Sequence, residues 1–322
     1  MTVLDLPARP GLDAAALPRR VPCRGMIWVT WRQHRPQALT ALGVFAFVVV
    51  YALGFGLWMR STFGSDAIGS CLARSGGAGC GGAISSFLHA AQGGAGAPLT
   101  LVLLVVPGVL GATVGAPLLG QELERGTWQL AWTQTVPRTR WLVVKLGLII
   151  AGLVVFGAAV TAVTAWAWSP LDRVSVKTQP PQFIAEGLVL TCSLLCAFGL
   201  ALLAGLLLRN TIGAMVAGYF AWDVCLGIVI LLTGPLQPFS ATKVIPCAGA
   251  ACAAASTNSV PPVTGNLGDL VNSVTPAGGH LVVSYVPASA FWPLQFVAGG
   301  IFVAIALSAA GAAVWLLQRR TT

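Results

Sequence analysis

Hydrophobic positions in this chain run together and rarely alternate. Six stretches, Ala38–Trp58, Pro98–Leu119, Leu142–Trp168, Gly187–Leu208, Ile212–Leu232 and Phe296–Leu317, are apolar around the whole circumference of a helix. A helix needs about 20 predominantly apolar residues to cross a bilayer core. Inside lipid it must also satisfy its own backbone, which excludes exposed loops at that depth. The pattern predicts an all-α, polytopic membrane protein with six transmembrane helices in a bundle. A large soluble α protein with buried helices is the competing reading, and composition argues against it. Charged residues make up 8% of the chain and apolar residues 56%, where soluble domains carry about 25% charge.

Charge changes the picture by giving the spans a direction. If the N-terminus is inside, thirteen of the 18 Lys and Arg residues lie inside, and Arg60, Arg74, Arg173, Lys177 and Lys243 remain outside. Basic flanks stay on the cytoplasmic side. Both termini and residues 120–141 are therefore expected in the cytoplasm, with 60–97, 169–186 and 234–291 outside. The net charge of +9 reads as this topological bias plus attraction to anionic lipid. No basic groove with interleaved aromatics suggests a nucleic-acid partner. Most tryptophans fall near span ends, where amphipathic rings prefer the headgroup level, and Trp222 is the mid-span exception.

The polar segments predict local structure. Residues 1–25 read as a disordered cytoplasmic tail without a secretory leader, since no apolar core of about 7–15 residues appears in them. Residues 26–322 then form the six-span domain. Its opening, "MIWVTWRQHRPQALTAL", suggests a short interfacial helix bent at Pro36 before the first span. Pro107 and Gly108 suggest a kink in the second. Gly111, Gly115, Gly147, Gly152, Gly157, Gly213 and Gly218 would let helices approach closely. Four of eight cysteines fall in the outer loops, Cys71 and Cys80 in "CLARSGGAGC" and Cys247 and Cys252 in "CAGAAC". Disulfides in an oxidising space are expected, local pairing being the simplest of three connectivities.

Little in the chain could perform catalysis. It has no phosphate-binding loop, no H-E-x-x-H and no G-x-S-x-G. His34, His89 and His280 are dispersed, so no metal site is expected. Glu122 and Glu124 lie about 200° apart on a helix and cannot converge on one substrate atom. No catalytic residue and no bound cofactor is therefore assigned.

One acidic residue falls within a span. Asp223 lies near the middle of the fifth, where an aspartate costs about 2.5–3.5 kcal/mol on insertion scales. Two readings stay open: a neutral carboxyl bonded to a neighbouring hydroxyl or backbone group, or the polar lining of a pathway or subunit interface.

The densest charge lies in "QELERGTWQLAWTQTVPRTRWLVVK", residues 121–145, between the second and third spans. Leu123, Thr127, Leu130 and Gln134 fall at helical spacing, Glu122 and Arg125 can pair at i,i+3, and Pro137 ends the element. The stretch predicts a short charged helix and turn at the membrane surface. Glu122, Glu124, Gly126, Thr127, Pro137, Arg138, Arg140 and Lys145 resemble the first cytoplasmic loop of export-type ATP-binding-cassette (ABC) transporter permeases. The segments "MIWVTWRQHRPQ" and "YVPASAFWPLQ" are similar to the actinobacterial branch of that family. The resemblance implies six spans and a coupling helix that sits on a separate ATPase. It implies an ATPase-coupling role for Glu122, Glu124, Arg125, Gly126, Thr127 and Arg138. ATP and Mg would be bound by that partner, and the permease would work as a homodimer or heterodimer in the plasma membrane. A proton-coupled carrier using Asp223, or a membrane accessory protein, would be the alternatives.

Overall fold

The computed structural model describes residues 23–66, 68–75, 80–124, 138–174, 180–233, 239–246, 270–277 and 280–319. Helix α1 spans Cys23–Ser65, α2 Ile68–Ser75 and α3 Gly81–Leu88, the last running into a π-helical turn at His89–Gly94. Helices α4 (Gly96–Glu124) and α5 (Arg138–Trp168) follow, then the short α6 (Pro180–Ala185), α7 (Gly187–Leu208) and α8 (Thr211–Thr233). Three strands, β1 (Ala241–Pro246), β2 (Leu270–Ala277) and β3 (His280–Val286), precede α9 (Phe291–Arg319).

Six of these helices (α1, α4, α5, α7, α8 and α9) are long and apolar enough to cross a membrane, and each contains one of the expected apolar stretches. Contacts between helix ends show how the spans alternate. Arg60, near the end of α1, donates to the Trp166 carbonyl at 2.7 Å and the Ser169 hydroxyl at 2.8 Å beyond the end of α5. The Gln295 side chain of α9 accepts from the Val189 amide in the first turn of α7 at 2.9 Å. Glu124, closing α4, bonds Thr211, opening α8. The starts of α1 and α5 and the ends of α4, α7 and α9 therefore share one end of the bundle. The strands and the α2–α3 segment lie at the other.

Helix α7 is the axis of the bundle. Thirteen of its 22 residues are buried, from Val189 to Leu206, as expected of a helix apolar on all sides. It packs mainly on α4, α9 and α8. Hydrocarbon solvent gives little hydrophobic drive for this contact, so close van der Waals packing must hold it. Gly111 and Gly115 of α4 lie directly against Ala197, Phe198 and Ala201 of α7, where an added Cβ would collide with backbone. Other glycines behave differently. Gly147 and Gly152 have open space where a Cβ would be, so they mediate no close approach.

Several local expectations need correction. Helix α1 runs unbroken through Pro36, without a separate interfacial helix, and begins at Cys23, inside the expected tail. The Thr40 hydroxyl donates to the carbonyls of Gln37 at 2.8 Å and Pro36 at 3.3 Å in the turn after the proline. Helix α4 continues through Pro107 and on to Glu124, so residues 121–124 extend the span and do not start a new helix. The 60–97 loop is largely helical.

The strands β1, β3 and β2, in that order, form an antiparallel sheet with a bulge between Val271 and Ser273. This sheet was not expected in an all-α chain. Its central strand buries Leu281, Val283 and Val286, and Val286 packs with Phe183 and Phe291 at the bundle end.

Cys71 and Cys80 are joined as a disulfide with Cα atoms 6.1 Å apart, pinning α2 to the start of α3. Cys247 and Cys252 lie outside the described residues. Mass mapping of the unreduced protein is expected to recover a Cys71–Cys80 peptide and a separate Cys247–Cys252 peptide. Pairing between the two loops would contradict this assignment.

Candidate functional site

The site is built where α4, α7 and α8 meet at one end of the bundle. Helix α7 ends with Arg209 in the left-handed region at φ 52°, and its N–H bonds back to the Gly205 carbonyl. Asn210 then caps α8, its Oδ1 accepting from the amides of Ile212 at 3.0 Å and Gly213 at 3.2 Å. A helix start leaves four N–H groups without intrahelical partners, and an Asn at this position answers two of them.

Glu124 supplies the next acceptor. Its Oε2 accepts from the Thr211 amide at 3.2 Å and the Thr211 hydroxyl at 2.8 Å, across 87 residues of sequence. A carboxylate at a helix N-terminus is favoured by the helix dipole and by the donors pointing at it. The last residue of the charged extension of α4 is thereby fastened to the first residue of α8. Thr211 itself is buried. Glu124 thus has an intramolecular role that its place in the charged island did not disclose.

The other predicted coupling residues are placed less fully. Glu122 lies in the last turn of α4 and Arg138 opens α5. Arg125, Gly126 and Thr127 lie outside the described residues. Lys145, a turn or two into α5, is buried at 3% exposure.

From this joint, α8 carries the intramembrane acid. Trp222 points inward, 1% exposed, its ring against Gly108 of α4 and its indole N–H donating to the Ser193 hydroxyl of α7 at 2.9 Å. That satisfies the polar atom of an otherwise apolar ring. The next residue lies about 100° further round the helix, so the inward tryptophan turns Asp223 out. Asp223 is exposed on a stripe with Ile212, Val216, Phe220, Val224, Ile228 and Leu231. Among the described residues its carboxylate has no hydrogen-bond or ion-pair partner.

A second polar cluster at the opposite end escaped sequence reasoning. Gln295, fully buried, accepts from Val189 N and donates from Nε2 to the carbonyls of Phe183 at 2.8 Å and Glu186 at 3.2 Å. Gln182 Nε2 donates to Glu186 at 3.2 Å and Asp172 at 3.3 Å. These bonds seat α6 and the start of α7 against α9. Gln295 closes the "YVPASAFWPLQ" segment, so a polar residue in an apolar run was its one visible signal. Among the described residues no group of His, Cys, Asp and Glu is arranged to hold a metal ion.

The profile of a family described as ABC-2 membrane transporter related matches residues 41–234, more than half of the chain. The chain belongs to this family. It is a multi-pass plasma-membrane protein and a transporter permease, of a family that associates with ATP-binding-cassette partners. No curated protein and no solved structure matches it. The matched region holds most of α1, all of α4 to α8, the Glu124–Thr211 joint and Asp223.

The joint has a measurable consequence for the permease. Thr211→Val removes the hydroxyl bond to a carboxylate, and Glu124→Gln removes the charge. Each is expected to cost about 1–2 kcal/mol, in the range of helix-cap losses, and to lower the unfolding midpoint by a few degrees. Intrinsic tryptophan fluorescence on heating in detergent checks this. An unchanged midpoint in both variants would show that the joint carries no load.

Proposed function

We propose that the chain is the membrane subunit of an ATP-driven exporter, with ATP and Mg bound and hydrolysed on a separate cytoplasmic ATPase. The Glu124–Thr211 joint carries this reading. It makes the charged extension of α4 and the start of α8 one mechanical unit, so a displacement of residues 121–138 would pass directly to α8. Packed helices respond to such pushes as rigid bodies. Glu122, Arg125, Gly126, Thr127 and Arg138 would meet the ATPase surface, and charged contacts there would set register and orientation.

Asp223, about midway along α8 and facing outward, would lie on the pathway or on the contact with a second permease subunit. Either place relieves the cost of a carboxylate in hydrocarbon. The chain itself would do no chemistry. A proton-coupled carrier gains nothing from the geometry, because Asp223 has no second acidic group at its depth among the described residues.

Co-expression with the ATPase encoded by the adjacent reading frame tests the proposal. The two chains are expected to co-purify from detergent extracts, with hydrolysis lost when the ATPase phosphate-binding loop is disabled. A neighbour without such a loop, or an ATPase that never co-purifies, would contradict it.

A further inference from the structure

A cavity of about 560 Å³ opens on the flank of the bundle between α1 and α5, at the same end as the charged island. Its floor is α4, seen between the two helices through the buried Leu110 and Val114. Its walls include the exposed Leu42 and Leu148, and Gly152 widens it because nothing lies within 4 Å of where a Cβ would be. Phe45 and Phe156, in edge contact at 6.0 Å between centroids, line its inner end.

Three observations say what covers this groove. Depth is the first. From Gln37 to Phe45 on α1, at about 1.5 Å per residue, the lining is roughly 12 Å tall, close to the roughly 15 Å of one leaflet in a core about 30 Å thick. Charge is the second. Trp31 lines the mouth; the exposed Arg35 lies one helical turn along from it, and the exposed Arg32 beside it has its guanidinium over the Trp28 ring, 5.5 Å from the centroid. Two guanidinium groups at headgroup level are complementary to an anionic phosphate. The third is a single polar atom. Gln37 also lines the groove, and its Oε1 is buried without a hydrogen-bond partner among the described residues. A buried carbonyl oxygen left so is costly and calls for a donor from the occupant.

We infer that this groove is a binding site for one anionic phospholipid with a hydroxylated headgroup. Its acyl chain fills the slot over Leu110 and Val114, its phosphate meets Arg32 and Arg35, and a hydroxyl donates to Gln37 Oε1. The site is separate from the Asp223 stripe on α8. It does not depend on the export reading, because its test measures bound lipid and not transport.

The full chain reconstituted in nanodiscs of phosphatidylcholine and phosphatidylglycerol gives the readout, by native mass spectrometry after release. The wild type is expected to retain one phosphatidylglycerol, with a preference of roughly tenfold or more over phosphatidylcholine from two arginines. Arg32→Gln with Arg35→Gln, both at exposed positions, should abolish that preference. Gly152→Leu, placed in open space, should remove the bound lipid altogether. A photoreactive residue at Leu42 should give a lipid adduct. Adducts instead with a second copy of the chain, or with its own residues 121–141, would overturn the assignment. So would a bound-lipid count and headgroup preference unchanged in both variants.

Discussion

Charge reversal at Glu122 and Arg125, to Lys and Glu, is expected to uncouple the permease from its ATPase while leaving all six spans inserted. Glu124 must stay in place, because its carboxylate holds the start of α8. Its reversal would confuse a docking defect with a structural one. Close charge pairs at protein interfaces couple by about 1.5–7 kcal/mol in measured cases. Loss of even the smaller value lowers affinity by more than tenfold. Co-purification and substrate-stimulated hydrolysis in vesicles should therefore fall by at least about tenfold, with an unchanged unfolding midpoint. Glu124→Lys should lower both coupling and midpoint, since it places a cation on the N-terminal amides of α8. If the Glu122 and Arg125 reversal couples like the wild type, these residues are only a solvated turn.

The second large effect concerns Asp223, where stability and function should move in opposite directions. Asp223→Leu removes a carboxylate from an outward stripe of Ile212, Val216, Phe220, Val224 and Ile228. Insertion scales place the cost of that aspartate at about 2.5–3.5 kcal/mol. The leucine variant should therefore insert and withstand heating at least as well as the wild type. Transport or subunit assembly should nevertheless drop by roughly tenfold or more, the trade-off expected where a costly residue serves function. Asp223→Asn keeps a polar group and should fall between the two. Transport rates in vesicles, crosslinked subunit yield and thermal midpoints together decide the matter. A leucine variant with normal transport and normal assembly would mean that Asp223 faces plain lipid.

The spans were legible in the sequence because hydrocarbon imposes one rule on every stretch that crosses it. Ala38–Trp58 and Gly187–Leu208 needed only length and the scarcity of charge to be placed. Which face of each span turns inward was not legible, since a run apolar on all sides carries no moment to orient it. The outward turn of Asp223 follows from Trp222 packing on Gly108 and bonding Ser193, contacts between residues distant in sequence. Glu124 likewise looked like one more island charge until Thr211, 87 residues on, supplied its donors. The sheet was missed for a related reason. Its strands are short, and β1 pairs with β3 and not with β2, its neighbour in sequence, so no local pattern announced it. The charged island itself was plain, because two glutamates and several arginines stand out where only 8% of residues are charged.

The central claim, that residues 121–138 dock on a cytoplasmic ATPase and move α8 through the Glu124 joint, is tested most directly in native membranes. A photoreactive residue at Gln121, half-buried in the last turn of α4, should crosslink to a chain that carries a phosphate-binding loop. The yield should change when ATP hydrolysis is trapped. Labelling of position 134 by an impermeant thiol reagent from outside intact cells, with no ATPase adduct from position 121, would contradict the account.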